Sequence, residues 1–163
     1  MTQAHLHLLI THLPVFGSIL GALVLAYGIW SKSNQTKIAA YLLFIISSIG
    51  AGIAYLTGEG AEEAVEEMPG VVENLIKQHE AFAMFALVGL IVLGVSSLIA
   101  LFASNKNLSF AKTASFGTLF ISLVSFALVA RTGYLGGQIR HTEISTGTIQ
   151  NGGGQEKEAK DDD

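Results

Sequence analysis

The chain has 163 residues, of which 50% are hydrophobic and 13% are charged, and its mean hydropathy is +0.52. This composition is more apolar than that of an ordinary soluble domain and predicts a membrane protein. The net charge of −4 argues against nucleic acid as a partner. The lack of cysteine excludes disulfides, thiolate metal sites and haem attached through thioethers.

Four apolar segments contain nearly all of the hydrophobic residues, and each is close to the ~20 residues that cross a bilayer as a helix. In chain order they are Leu6–Trp30, Ile38–Thr57, Ala81–Ala103 and Ala111–Leu135. We therefore predict an all-α fold, an integral membrane four-helix bundle of up-down-up-down topology, formed by a single domain over residues 1–150. The segment 151–163 is Gly-rich and then charged, which predicts a disordered acidic tail.

The charges of the connecting loops predict how this bundle lies across the membrane. The first and third loops carry two lysines each and no acid, whereas the second carries six glutamates; the lysines are Lys32, Lys37, Lys106 and Lys112. By the positive-inside rule the first and third loops face the cytoplasm. We expect a multi-pass protein of the bacterial inner membrane, with both termini and the acidic second loop on the periplasmic side.

This orientation places all five histidines near the periplasmic ends of the helices: His5, His7, His12, His79 and His141. In PGVVENLIKQHEAFAMF, residues 69–85, the leading proline favours a first helical turn. His79 shares an apolar face with Ile76 and Phe82 at helical spacing, so we expect it to point into the bundle. Pro14 leaves the helical register of the first histidines open.

The two halves of the chain form a weak internal repeat. Each half reads as a helical hairpin that starts with a histidine and ends with Thr-Gly, in AYLTGEG (54–60) and ARTGYLGG (130–137). The halves are therefore predicted to be pseudo-equivalent hairpins related by an axis along the membrane normal. The first and third helices of such a bundle are diagonal neighbours, so His12 and His79 are predicted to face each other across the core.

Two short motifs support a resemblance to a known family. HLLITHLP, residues 7–14, resembles the His-Pro-Leu-Leu-Val-His-Phe-Pro opening of a family of small four-helix bacterial membrane proteins of unknown function. GYLGGQIRH, residues 133–141, is similar to the Gly-Gly segment that closes the fourth helix of that family before a histidine. Leu8 stands where the family has proline. Some relatives are fused to cytochrome c or Rieske domains, which implies redox partners.

The histidine pattern predicts a b-type haem near the periplasmic face. Two neutral imidazoles fill both axial positions of such a haem, and we assign them to His12 and His79. His7 and His141 are predicted to bind a second haem or to orient the ligands. The predicted function is electron transfer, with a quinone, a periplasmic cytochrome c or a Rieske protein as partner. An electron carrier or redox subunit is favoured over a stand-alone enzyme, and oligomerisation is left open.

Two arginines are candidates for the haem propionates. Arg131 lies inside the fourth apolar segment, where an unpaired charge costs roughly 2.5–3.5 kcal/mol on insertion scales. We predict that Arg131 and Arg140 neutralise propionates. An alternative for Arg131 is a salt bridge to Glu80 or extension of its side chain to the membrane interface.

Carboxylates near the same histidines support a second hypothesis. A non-haem site for Fe, Zn or Mn is expected to combine nitrogen and oxygen ligands. Such a site would use His12, His79 and His141 together with Glu59, Glu80 and Glu143. A third hypothesis is a structural subunit whose helices fill a gap in a larger membrane complex.

Overall fold

The computed structural model describes residues 2–66, 71 and 73–140, and all regular structure within them is helical. The helices are α1 (Gln3–Ile10), α2 (His12–Trp30), α3 (Asn34–Leu56), α4 (Gly58–Glu66), α5 (Glu73–Asn105) and α6 (Ala111–Arg140). Four stretches are long and apolar enough to cross a membrane: α1 with α2, α3, α5, and α6. The prediction of an all-α membrane bundle is confirmed. Pro69, His141 and the tail lie outside the described residues.

The four membrane-spanning stretches pack as a closed ring. Helix α2 packs against α3 and α6, and α5 packs against the same two helices from the opposite corner. Helices α2 and α5 are therefore diagonal, as the sequence predicts for its first and third spans. We call α1–α3 the first hairpin and α5–α6 the second hairpin.

The first span is interrupted where the sequence contains Pro14. A proline has no N–H to bond the carbonyl one turn earlier, so α1 ends at Ile10 and α2 begins at His12. Thr2 caps α1 by accepting a hydrogen bond from the amide of His5. Helix α1 buries none of its side chains and packs beside α3 and α4. His5 and His7 therefore lie on α1 at one end of the bundle, and His12 is the first residue of α2.

The interior of the bundle is small and partly polar, while its outer surface is apolar. Large core side chains such as Leu25, Tyr41 and Phe44 are fully buried. They share the interior with eight hydroxyl side chains: Ser18, Ser47, Ser97, Ser104, Ser115, Thr118, Ser122 and Ser125. Leucine, isoleucine, valine and phenylalanine cover the outside. Lipid provides an apolar solvent for that outer surface, so close packing and interhelical hydrogen bonds hold the helices together.

Candidate functional site

His7 is fixed against the end of the first hairpin. Its Nδ1 lies 2.8 Å from the backbone oxygen of Ala54, and the hydroxyl of Thr57 lies 3.3 Å from the same nitrogen. A β-carbon added at Gly58 would lie 3.8 Å from Cε1 of His7. The imidazole is half-buried, so it is held in one orientation between α1 and the junction of α3 with α4.

His79 is fixed against the end of the second hairpin in the same way. Its Nδ1 lies 3.0 Å from the backbone oxygen of Thr132 on α6. A β-carbon added at Gly136 would lie only 3.1 Å from Cε1 and 3.3 Å from Nδ1 of His79. The missing side chain at Gly136 thus lets α6 approach the imidazole face. The prediction that His79 points into the bundle is confirmed.

The two arrangements share one pattern. In each, a histidine at the start of a hairpin bonds a carbonyl near the hairpin's end, and a glycine follows that carbonyl residue by four positions. We call them the first histidine unit (His7, Ala54, Gly58) and the second histidine unit (His79, Thr132, Gly136). The end of the bundle that carries them is called the histidine end.

Both units leave the other ring nitrogen free for a ligand. A carbonyl oxygen only accepts hydrogen bonds, so Nδ1 must carry the hydrogen and donate it in both units. In the neutral imidazole Nε2 then holds a lone pair, and no described residue bonds it. A histidine that ligates a metal usually donates its other N–H to a carbonyl or carboxylate in this manner.

The two units lie at the same end of the bundle, at the starts of its first and third spans. Their histidines are His7 on α1 and His79 on α5. Within the described residues, these are the histidines whose rings bond a neighbouring helix. The fold therefore brings together two pre-oriented imidazoles at the histidine end.

The structure corrects the predicted partner of His79. His12 is exposed rather than facing the core; its Nδ1 lies 2.8 Å from the oxygen of Leu8 on its own chain segment, and its ring stacks on Phe16. The prediction that His12 faces His79 across the core is wrong. His7, five residues earlier and on a different face at helical spacing, is the histidine that bonds α3. His5 is also exposed and bonds the Thr2 hydroxyl.

Arg131 is exposed at the histidine end and lies between two aromatic rings. Its guanidinium carbon is 5.5 Å from the ring centroid of Phe82 and 5.5 Å from that of Tyr134. The alternative salt bridge to Glu80 is not formed in the described part of the chain, where the one ion pair joins Glu73 to Lys77. The side chain of Arg140 lies outside the described residues.

The carboxylates of the non-haem hypothesis do not gather around the histidines in the described residues. Glu59 and Glu80 are exposed, and no group of three or more histidine and acidic side chains is placed to hold a metal ion there. His141 and Glu143 lie outside the described residues. The full ligand set of that hypothesis is therefore not assembled within residues 2–66, 71 and 73–140.

Sequence reasoning missed the backbone acceptors and the glycines of the histidine units. Aligning the halves on their Thr-Gly pairs matched Thr57 with Thr132, but the structure matches Ala54 with Thr132, a shift of three residues. The sequence feature that could have indicated these units is a glycine four positions after each acceptor residue: Gly58 after Ala54, and Gly136 after Thr132. At Gly136 a β-carbon would crowd the imidazole of His79, whereas at Gly58 it would make an ordinary contact with that of His7.

Comparisons with known proteins add no relative to this picture. Neither protein-family models, nor curated proteins, nor solved structures gave a match to the chain. The resemblance drawn from HLLITHLP and GYLGGQIRH therefore stays a prediction.

Proposed function

We propose that the protein binds b-type haem at the histidine end and carries electrons, with His7 and His79 as the axial ligands. The observation that carries this proposal is the pair of equivalent histidine units, each with Nδ1 on a carbonyl and Nε2 free. A histidine with a purely structural role needs one hydrogen-bond partner. Such a role does not explain why both hairpins contain a histidine bonded through Nδ1 to a backbone oxygen, with a glycine four residues after the acceptor.

A pair of histidines suits haem better than it suits a non-haem ion. The porphyrin supplies four nitrogen ligands, so the protein has to add only two imidazoles. A non-haem Fe, Zn or Mn site draws three or more ligands from the protein. Two oriented imidazoles at one end of the bundle support the first set, whereas the second would have to recruit His141 or Glu143. The non-haem site is therefore our second candidate.

The residues of the site fit the group that they would hold. The hydrogen bonds to the oxygens of Ala54 and Thr132 orient both rings and raise the basicity of Nε2. Haem, when bound, supplies one-electron exchange at a potential set by its ligands and surroundings. Within the proposal, the loop charges put this end at the periplasmic face of a bacterial inner membrane. A quinone or a periplasmic redox protein is then within reach as partner.

The absorbance spectrum of the purified protein tests this proposal. In detergent, the air-oxidised wild-type protein should show a Soret band that shifts on dithionite reduction, with sharp α and β bands. His7→Ala and His79→Ala should each lose the α and β bands, because each removes one axial ligand. The matched control is His12→Ala, which removes an exposed histidine from the same end of the chain and should leave the spectrum unchanged.

Other outcomes separate the alternatives. A colourless protein from haem-sufficient cells would contradict the haem proposal. Its total metal content would then distinguish a non-haem metal site from a structural subunit. Loss of the bands in His12→Ala, with normal bands in His7→Ala, would restore the ligand pair predicted from sequence.

A further inference from the structure

Arg131 marks the edge of the hydrocarbon layer at the histidine end. Between Lys112 and Arg131 helix α6 has 18 residues without a charged side chain, 113–130. At 1.5 Å per residue they span about 27 Å, close to the ~30 Å of a bilayer's hydrocarbon core. A hydrocarbon layer bounded by Lys112 and Arg131 would place the guanidinium beside the lipid phosphates.

Two aromatic rings hold the guanidinium in one place at that depth. Its carbon is 5.5 Å from the ring centroids of both Phe82 and Tyr134, which is the range of cation–π contacts. The ring of Tyr134 is itself tied down, because Gln138 donates a hydrogen bond of 3.1 Å to its hydroxyl. Phe82 packs edge-on against Phe85. Residues from both α5 and α6 thus pre-orient Arg131.

Among the residues that the structure describes, none accepts a hydrogen bond from this guanidinium. The aromatic contacts involve ring faces, and no described oxygen accepts a hydrogen bond from Arg131. Guanidinium has five N–H donors in a planar fork that matches two oxygens of a carboxylate or phosphate. The side chain is exposed, so such an anion can reach it from the membrane side.

We propose that Arg131, held between Phe82 and Tyr134, binds the phosphate of an anionic glycerophospholipid in the leaflet at the histidine end. The position of the guanidinium at the edge of the hydrocarbon layer favours a lipid phosphate over free phosphate. Phe85, which packs against Phe82, is exposed and offers an apolar surface for the acyl chains. An anionic lipid is favoured over a zwitterionic one because it has no ammonium of its own to compete with the arginine. This site does not depend on haem.

Native mass spectrometry of the detergent-solubilised protein tests the site. The probes are phosphatidylglycerol and phosphatidylcholine, titrated separately against the wild-type protein. We expect the first phosphatidylglycerol to bind at least fivefold more tightly than phosphatidylcholine. Arg131→Gln should abolish this preference, and Arg131→Lys should retain part of it because it keeps the charge but loses the fork. The matched control Lys112→Gln removes an exposed cation at the other end of α6 and should keep the full preference.

Phe82→Leu tests the lipid site independently, because it keeps an apolar side chain but removes one of the two rings that contact Arg131. We expect it to weaken the preference two- to threefold. Equal phosphatidylglycerol binding by wild type and Arg131→Gln would overturn the proposal. Displacement of the lipid by millimolar inorganic phosphate would overturn the lipid assignment in favour of a free anion. Loss of haem from Arg131→Gln with unchanged lipid binding would also overturn it and point to a propionate.

Discussion

The two hairpins of the bundle are held together in different ways. In the first hairpin, glycines of α2 face α3: a β-carbon at Gly21 would lie 2.5 Å from the ring of Phe44, and one at Gly28 would lie 2.9 Å from the backbone nitrogen of Lys37. Inside the membrane-spanning part of this hairpin, Ser18 and Ser47 donate to carbonyls of their own helix. The first hairpin is thus closed by backbone proximity.

The second hairpin is closed by hydroxyl groups that bond across it. Ser125 on α6 donates to the oxygen of Gly89 on α5 at 3.0 Å, and Thr118 donates to the oxygen of Ser96 at 3.4 Å. The β-carbon distances at Gly89 are ordinary or only slightly tight. Although the packing differs, both hairpins end in the same histidine unit. Helix packing alone therefore does not account for the repeated unit, which favours a ligand shared by both halves.

The largest effect is expected from filling the glycine contact of the first hairpin. Gly21→Ala should lower the free energy of unfolding by about 2 kcal/mol, because the fully buried ring of Phe44 has no space to move into. Gly89→Ala in the second hairpin should change it by less than about 0.5 kcal/mol, since the nearest atoms are 3.3 Å away. Titration with sodium dodecyl sulfate in mixed micelles measures both. Equal losses would mean that the two hairpins pack alike.

A smaller effect should separate the two histidine units. Gly58→Ala and Gly136→Ala both replace a helical glycine and gain up to about 1 kcal/mol of helix propensity. At Gly136 the new methyl group would be 3.1 Å from Cε1 of His79, against 3.8 Å from His7 at Gly58. We expect Gly136→Ala to be less stable than Gly58→Ala by about 1 kcal/mol, the scale of one hydrogen bond. Nitrogen-15 NMR of the imidazoles should show a weakened Nδ1 bond at His79 alone.

If instead both alanine variants gain the same stability, the close contact at Gly136 does not restrain His79. The second histidine unit would then be as loosely held as the first, and glycine would not be required there.

The smallest effect concerns the hydroxyl groups. Ser125→Ala removes a bond between helices and should cost about 0.6 kcal/mol, the average for such bonds inside membrane proteins. Ser47→Ala removes a bond within α3 and should cost less than about 0.3 kcal/mol. The same detergent titration measures the difference. If Ser47→Ala lowers the free energy of unfolding more than Ser125→Ala does, hydrogen bonds from hydroxyl groups are not what distinguishes the second hairpin from the first.

The membrane spans and their diagonal order could be predicted from sequence because they depend on long runs of apolar residues. The face of His79 was equally predictable, since Ile76 and Phe82 share its helical spacing in an uninterrupted stretch. The helical register of His5, His7 and His12 could not be predicted in this way. It depends on how the chain continues through Thr11 just before Pro14, a local geometry that periodicity does not reveal.

The acceptors of the histidine units were hidden for a different reason. The groups that bond His7 and His79 are backbone oxygens, which every residue has, so Ala54 carries no sequence signature as an acceptor. Arg131 was recognised as an unusual charge, but its aromatic neighbours come from a second helix. The ring of Phe82 meets the guanidinium only once α5 and α6 are packed.

The contact between α2 and α6 has a consequence for biogenesis. Helix α2 precedes α6 in the chain, and the contact between them completes the ring. His7 emerges early and finds Ala54 as soon as α3 is inserted, whereas His79 gains its acceptor only when α6 follows. A ligand that needs both oriented imidazoles can therefore bind only after α6 has been inserted. Truncation within α6 would leave such a ligand with half a site.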